Sequence, residues 1–208
     1  VEAHTHEFIS TGQDDSKFGF TVSTGVALEA VERAVNTEAV ELVGIHAHIG
    51  SQVFKVDSFI RAVEVMAEFS NPLDLPELSI GGGLGVSYLE EDHAPSITEW
   101  GEAVQAACAQ TGIKATVTAE PGRAIAAAAA ITLYRVGTIK ELEGLRTYVA
   151  VDGGMSDNPR PVLYGSGYET FLPRSMDKER DRLIRMVGKH CESGDLLVRE
   201  GWIPSDVA

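Results

Sequence analysis

The sequence predicts an α/β fold in its first part and a mainly β fold in its second part. Over residues 1–128, short strand-like runs alternate with segments that have the apolar period of an amphipathic helix. This alternation predicts a parallel sheet or a (β/α)8-type barrel. After residue 128, runs of β-branched residues and tyrosine replace the helical period, which is typical of strands. We therefore predict two domains, at 1–128 and 129–208.

Strands are predicted in the first part at 1–9, 40–49, 78–80 and 114–118, and the last of these is expected to be buried. Helices are predicted at Val26–Val35, from an N-cap at Asp57 to residue 69, and from Ser96 to near Gly112. Ser96 and Glu99 have the spacing of a capping box. Four strands are too few to close an eight-stranded barrel, so only part of a barrel is predicted.

The second part is predicted to contain strands at 131–139 and 147–151. Residues 177–187 are compatible with either a helix or a charged loop. A polar turn at 190–195 precedes another apolar run at 196–198.

The chain is acidic, with 17 Lys and Arg against 31 Asp and Glu and a formal net charge of −14. This charge argues against nucleic acid or an anionic membrane surface as a partner. No apolar run reaches the roughly 20 residues that a membrane-spanning helix needs. Cys108 and Cys191 are the two cysteines, which disfavours a disulfide framework and fits the reducing cytoplasm.

The strongest candidate site is the segment 119–123, which follows the strand predicted at 114–118. The Glu120 carboxylate can pair with a ring nitrogen, and the Arg123 guanidinium can grip a carboxylate or phosphate in a fork. Pro121 fixes its own φ, and Gly122 allows the backbone to approach a ligand closely. A strand-end turn with a surface ion pair explains the same residues equally well.

Three further groups have two interpretations each. Gly81, Gly82 and Gly83 can present N–H groups to a phosphate, or they can simply make a tight connection. Cys191 lies in a polar turn, where its thiol can exchange a proton or be half-buried and structural. Arg160 and Tyr164 can hold a substrate carboxylate or belong to a surface loop.

Two histidine pairs, His4-x-His6 and His46-x-His48, could supply four imidazoles to a metal. Metal-dependent hydrolases built on (β/α)8 barrels use such pairs at strand ends. The alternatives are that these histidines orient loops through hydrogen bonds or stack on a planar cofactor. The hydrolase is the alternative function from a different class.

Taken together, these segments resemble the fold-type III pyridoxal-phosphate-dependent decarboxylases, and most of all their diaminopimelate branch. Ornithine and arginine decarboxylases share the general scaffold and remain the alternative within the family. The matching segments follow the family's order along the chain, at 5–6, 10–12, 17–19, 44–52, 81–85, 120–123, 151–158, 160–164 and 191–195.

The resemblance implies the C-terminal part of a pyridoxal-phosphate-binding (β/α)8 barrel, followed by part of a mainly β domain. It implies decarboxylation of meso-2,6-diaminopimelate to L-lysine and carbon dioxide, a step of lysine biosynthesis. A homodimer with shared active sites is also implied, because Cys191 and Glu192 act across the dimer interface in this family.

The resemblance also implies a role for each site residue. Glu120 would pair with the pyridinium nitrogen, His48 would stack on the ring, and Cys191 would return a proton to the α-carbon. Glu192 would recognise the distal amino group of the substrate. The implied cofactor-binding residues are His48, Ser51, Gly81, Gly82, Gly83, Glu120, Pro121, Gly122 and Arg123. The implied substrate-binding residues are Arg123, Arg160, Tyr164 and Glu192, and no metal ligand is implied.

One feature of the family does not match any residue here. The lysine that bonds covalently to the cofactor lies in a Tyr-Ala-x-Lys-Ala context, and none of the six lysines has that context. The sequence also begins at Val1 without an initiator Met and ends without a closing element. We therefore expect an internal part of a longer chain. Residues 1–208 alone are expected to be inactive and poorly folded, because unpaired sheet edges would remain.

Overall fold

The computed structural model describes residues 16–206, which divide into two compact units. Unit 1 contains the described residues up to 86 together with 93–130. Unit 2 contains 87–92 together with the described residues from 131 onwards. The domain bounds expected from the sequence, 1–128 and 129–208, stay a prediction.

Unit 1 is built on a three-stranded parallel sheet. Its strands are β1 (Gly44–His46), β2 (Glu77–Ser79) and β3 (Thr116–Thr118), in the spatial order β1-β2-β3. The α/β class and the parallel sheet are therefore confirmed, and the three strands do not close into a barrel within the described residues. The strand predicted at 1–9 lies outside those residues.

The strands of unit 1 are shorter than the sequence predicted. The run at 40–49 forms a strand only at Gly44–His46, and the run at 114–118 only at Thr116–Thr118. The expectation that this last strand is buried was wrong, since Thr116 and Thr118 are exposed and Val117 is half-buried. The reason is its place at the edge of the sheet, where it pairs on one side only among the described residues.

The helices of unit 1 follow local sequence signals closely. Helix α1 spans Val26–Val35 as predicted, and α3 spans Ile97–Gln110 behind the predicted Ser96–Glu99 capping box. Helix α2 spans Val56–Ser70, and its N-cap is Lys55. The assignment of Asp57 as N-cap was wrong, because Asp57 already lies inside the first turn, where its charge favours the helix dipole. A short helix α4 covers Gly122–Ala126.

The core of unit 1 forms where α2 and α3 pack beside the sheet. Phe59 of α2 and Trp100 of α3 meet edge to face, with ring centroids 5.8 Å apart. Such an arrangement adds about 1 kcal/mol to the stabilisation from apolar burial. Val63, Leu84 and Val104 complete the centre of this cluster.

Unit 2 is a four-stranded mixed sheet in the order β4-β5-β6-β7. The strands are β4 (Val136–Leu142), β5 (Arg146–Val151), β6 (Arg182–Val187) and β7 (Leu196–Ile203). The central pair β5–β6 is parallel, and both outer pairs are antiparallel. A short helix α5, Arg160–Tyr164, lies in the chain between β5 and β6.

Two expectations for unit 2 need correction. The strand predicted at 131–139 begins only at Val136 and runs on to Leu142. Residues 177–187, expected as a helix or a charged loop, end in strand β6, whose Ile184 is buried in the core. The pairing of β6 on both of its edges overrides the charged character of the segment. Among the residues described, no helix has the length and apolar character needed to span a membrane.

Candidate active site

The carboxyl ends of β1, β2 and β3 lie at one edge of the parallel sheet, and the backbone continues to link them beyond the strands. The Ile80 N–H donates to the Thr118 carbonyl at 3.0 Å, and the Glu120 N–H donates to the Gly81 carbonyl at 2.8 Å. The Val53 N–H donates to the Gly83 carbonyl at 2.9 Å. The segments that follow the strands therefore form one connected edge, which carries most of the predicted cofactor-binding residues.

The glycines at 81–83 allow this edge to form. A Cβ added to Gly81 would lie 2.3 Å from the Ala47 carbonyl oxygen, and one on Gly82 would lie 2.1 Å from that of Glu120. One on Gly83 would lie 2.2 Å from the carbonyl oxygen of Gly50. Close backbone approach thus explains all three glycines, and their role in binding a phosphate stays a prediction.

Glu120 presents an exposed carboxylate that two neighbours hold. The Ser79 hydroxyl donates to Glu120 Oε1 at 3.1 Å, and His46 Nε2 lies 3.5 Å from Glu120 Oε2. The same hydroxyl accepts the Gly81 N–H at 3.3 Å, which directs its proton towards Glu120. Sequence analysis did not name Ser79 and considered His46 only as one of a histidine pair. The one sequence feature that could have indicated Ser79 is its position at the end of a strand, just before the glycines.

His48 is oriented by the glycine segment. The Gly82 N–H donates to His48 Nδ1 at 3.2 Å, so this nitrogen is the acceptor and the neutral ring carries its proton on Nε2. The sequence left open that these histidines orient loops through hydrogen bonds, and His48 makes one such bond, to the backbone of the glycine segment. Its stacking on a cofactor ring stays a prediction.

The structure also brings together Ser51 and Arg123, which are 72 positions apart. Arg123 Nη2 donates to Ser51 Oγ at 3.0 Å. Pro121 is the N-cap of α4, and Gly122 begins that helix at an exposed position with no atom within 4 Å of an added Cβ. The Arg123 guanidinium and the Ser51 hydroxyl therefore lie together in the segments that follow β3 and β1, and the backbone at Gly122 is open beside Arg123.

Arg160 and Tyr164 are in contact within unit 2. The Arg160 guanidinium carbon lies 5.2 Å from the centroid of the Tyr164 ring, and Arg160 Nη2 donates to Ser166 Oγ at 3.3 Å. Arg160 Nε is buried and has no hydrogen-bond acceptor among residues 16–206. A buried donor of this kind can be satisfied by a ligand carboxylate.

Cys191 and Glu192 are both exposed in the turn between β6 and β7. The alternative of a half-buried structural thiol at Cys191 is therefore wrong. Cys108 differs, because it lies half-buried on α3, where burial raises the pKa of its thiol and reduces the thiolate fraction.

The predicted site residues thus fall into two groups, one in each unit. Unit 1 holds the implied cofactor-binding residues, and unit 2 holds Arg160, Tyr164, Cys191 and Glu192. Within the described ranges, no group of three or more His, Cys, Asp or Glu side chains is placed to hold a metal ion. His4 and His6 lie outside those ranges.

Residues 1–127 match the family described as pyridoxal-dependent decarboxylase, pyridoxal binding domain. The chain belongs to this family. Its relatives within the pyridoxal-dependent decarboxylases include the diaminopimelate decarboxylase of Corynebacterium efficiens, 44% identical over 100% of this chain and 48% of the relative. The diaminopimelate decarboxylase of Mycobacterium tuberculosis is 45% identical over 100% of this chain and 51% of the relative. The chain spans about half the length of the curated relatives it matches.

Solved structures of the pyridoxal-dependent decarboxylase family agree with this membership. The diaminopimelate decarboxylase of Helicobacter pylori complexed with L-lysine matches with a TM-score of 0.82 and 30% identity, over 99% of this chain and 50% of that one. A lysine/ornithine decarboxylase of Vibrio vulnificus complexed with putrescine matches with a TM-score of 0.69 and 24% identity, over 91% of this chain and 51% of that one. The second likeness shows the fold alone. The resemblance to the diaminopimelate branch is confirmed.

Proposed function

We propose that the intact protein containing this chain decarboxylates meso-2,6-diaminopimelate to L-lysine and carbon dioxide with pyridoxal 5′-phosphate as cofactor. The observation that carries the proposal is the Glu120 carboxylate, held by Ser79 at the strand-end edge of a pyridoxal-dependent decarboxylase. The choice of substrate rests on relatives named diaminopimelate decarboxylase that align with the whole chain. One of the similar structures is complexed with L-lysine, which is the product of this reaction.

The donor set of unit 1 fits the cofactor. An exposed carboxylate suits a protonated ring nitrogen, while the guanidinium of Arg123 and the hydroxyl of Ser51 suit a phosphate. When bound, pyridoxal phosphate supplies a protonated ring that delocalises the electron pair left by departing carbon dioxide.

The residues of unit 1 would bind and orient the cofactor. The negative charge of Glu120 would keep the ring nitrogen protonated. Ser79 and His46 hold the Glu120 carboxylate in place. His48 would cover one face of the ring. Ser51 and Arg123 bind the phosphate, together with Gly81, Gly82, Gly83 and the backbone at Pro121 and Gly122.

The residues of unit 2 would bind substrate and move a proton. Arg160 and Tyr164 hold the distal carboxylate, and the unsatisfied Arg160 Nε supports this role. Arg123 is the further substrate-binding residue in unit 1. Cys191 donates its thiol proton to the α-carbon after carbon dioxide has left, and Glu192 binds the distal amino group.

The proposal includes a homodimer in the cytoplasm whose sites combine residues of both subunits. The net charge of −14 supports the absence of nucleic-acid and membrane partners.

The test measures carbon dioxide release by the intact protein with pyridoxal phosphate, from meso-diaminopimelate, ornithine and arginine side by side. Release from diaminopimelate alone is expected. Release from ornithine or arginine instead would place the protein in another branch of the family. No release from any of the three, with zinc bound to the protein, would support the histidine-pair hydrolase and reject the proposal.

A further inference from the structure

A buried carboxylate lies behind the turn that carries Cys191 and Glu192. Asp195 is 2% exposed and follows this turn immediately before β7. Its Oδ1 accepts the Met155 N–H at 2.6 Å, and its Oδ2 accepts the His190 N–H at 2.8 Å. One side chain therefore binds the backbone of two separate segments, one after β5 and one after β6.

The surrounding backbone is shaped to receive this carboxylate. A Cβ added to Gly188 would lie 2.2 Å from Asp195 Oδ2, and one added to Gly154 would lie 2.9 Å from the same oxygen. Real Cβ atoms essentially never approach another heavy atom within 3.0 Å, so both positions favour glycine while Asp195 keeps its place, and Gly188 does so more strongly. The buried position of the Asp195 carboxylate therefore depends on the absence of a side chain at Gly154 and Gly188.

Further hydrogen bonds connect the segments 153–156 and 188–195. We name these two segments, with the bonds between them, the aspartate clamp. The Gly188 N–H donates to the Asp195 carbonyl at 2.9 Å, and the Lys189 N–H donates to the Gly153 carbonyl at 2.8 Å. Ser156 Oγ and His190 Nε2 share a hydrogen bond of 2.8 Å. The Asp195 N–H closes the turn itself by donating to the Glu192 carbonyl at 3.0 Å.

We propose that Asp195 is the positioning residue of the Cys191–Glu192 turn. It acts through the backbone of the turn and not through contact with the reacting atoms. By accepting the His190 N–H it fixes the residue next to Cys191, and its own N–H fixes the carbonyl of Glu192. The chemical consequence for decarboxylation rests on the proposed function, while the positioning itself does not.

The aspartate clamp should determine how Cys191 meets a reagent. A turn that has lost the clamp samples more orientations, so its thiol spends less time in any one geometry. In catalysis a small misplacement of a proton donor is costly, so loss of the clamp is expected to lower kcat by about 10²-fold. Binding of the cofactor should change little, because the implied cofactor-binding residues lie in unit 1.

The first test compares Asp195→Asn with Gly188→Ala in the intact protein. Asparagine keeps the shape but offers an amide N–H2 to one of the two backbone donors, and alanine at 188 displaces the carboxylate without removing it. Both variants should change the rate at which Cys191 is alkylated by iodoacetamide, by at least about fivefold. Peptide mass spectrometry distinguishes Cys191 from Cys108.

Two variants serve as matched controls. Gly194→Ala lies in the same turn, where no atom lies within 4 Å of an added Cβ. Asp181→Asn removes another carboxylate that accepts a backbone N–H, from Ser205, outside the aspartate clamp. Both controls should alkylate at the wild-type rate. Equal alkylation rates in all four variants and the wild type would overturn the proposal.

A second measurement keeps the proposal testable if Asp195→Asn fails to fold. Hydrogen exchange of the wild-type protein should show the amides of Met155 and His190 protected together, and Gly188→Ala should expose both. Rapid exchange of either amide in the wild type would contradict the aspartate clamp. A change in Cys191 alkylation without any decarboxylase activity in the wild type would support the clamp and reject the proposed function.

Discussion

At the scale of single residues, the Glu120 carboxylate depends on neighbours from the other two strands. Ser79 at the end of β2 donates to one oxygen, and His46 at the end of β1 lies beside the other. The proposed pairing with a cofactor ring nitrogen therefore needs the charge of Glu120 and a fixed direction for its side chain.

Glu120→Ala is expected to lower kcat by on the order of 10²-fold, because it removes the charge proposed to pair with the ring nitrogen. The protein should still bind pyridoxal phosphate through its other contacts. Steady-state kinetics and the absorbance of bound cofactor measure the two effects. Ser79→Ala is the graded comparison, since it removes one hydrogen bond and leaves the charge. Unchanged turnover in Glu120→Ala would remove the electrostatic role.

Arg160→Ala should raise KM more for a substrate with a distal carboxylate than for one without it. A lost charge-assisted hydrogen bond costs about 1.5–3 kcal/mol, which corresponds to roughly a 10- to 100-fold change. Arg182→Ala is the matched control, because Arg182 bonds Glu141 at an exposed position of the same unit. An equal rise in KM for both substrates would contradict carboxylate binding by Arg160.

Some residues of the candidate site could be named from the sequence, because their signal is local. Glu120 and Arg123 belong to a short segment after a strand, and Arg160 and Tyr164 are one helical turn apart. Ser79 and Asp195 could not be given a role in this way. Their partners Glu120 and Met155 are 41 and 40 positions away in the chain, so only the fold brings them together.

At the scale of elements, the three long helices were predicted better than the strands, while the short helices α4 and α5 were not predicted. The bounds of α1 and the capping box of α3 follow from neighbouring residues, so the sequence contains them directly. Strand bounds depend on pairing with distant segments. This explains why β1 is short and why β6 was missed, since its partners β5 and β7 stabilise a charged segment.

The capping box of α3 gives a stability prediction. Ser96→Ala removes the hydroxyl that accepts the Glu99 N–H at 3.1 Å, and should lower the free energy of unfolding by about 1 kcal/mol. Thr98→Ala in the same turn is the control and should have a smaller effect. Urea unfolding of the intact protein measures both, and equal losses would show that the cap contributes nothing specific.

The same cap predicts a pH dependence. Hydrogen bonds from the Ser96 N–H and then its hydroxyl hold the pKa of Glu99 below its usual value of 4.5. A lowered folded-state pKa means that this stabilisation is present above pH 4.5 and is lost as the pH falls through the folded-state pKa. The stability difference between wild type and Glu99→Gln should therefore shrink in acid. A difference that is constant from pH 7 down to about pH 3 would contradict it.

Gly82 and Gly101 are expected to respond to the same Gly→Ala substitution in opposite ways, because one is closely packed and the other is open. Gly82→Ala places a Cβ 2.1 Å from the Glu120 carbonyl oxygen and should destabilise by about 1–3 kcal/mol or more. Gly101→Ala lies inside α3, where no atom lies within 4 Å of an added Cβ, and should stabilise by about 1 kcal/mol. Thermal unfolding of both variants measures the two changes in stability. An unchanged stability in Gly82→Ala would show that the backbone segments at Gly82 and Glu120 can move apart at no cost.

At the scale of the whole molecule, the two groups of site residues lie in different units of the chain. The proposed homodimer would join unit 1 of one subunit with the Cys191–Glu192 turn of its partner. A symmetric dimer with such an interface has two equivalent sites, each built from both subunits. Sites shared in this way can be tested by mixing variants of the two groups of site residues.

Mixing two inactive variants of the intact protein should restore activity if the sites are shared. Glu120→Ala and Cys191→Ala each impair every site in their own homodimers, so that each variant alone has little activity. A mixed dimer places both substitutions in one site and leaves the other site intact. Random exchange makes about half of the dimers mixed, so the mixture should recover about a quarter of wild-type turnover. The double variant Glu120→Ala/Cys191→Ala mixed with Cys191→Ala is the control and should recover nothing. If the first mixture also stays inactive although mass spectrometry shows mixed dimers, each site is built within a single subunit. The proposed sharing would then be wrong even if the decarboxylase activity is found.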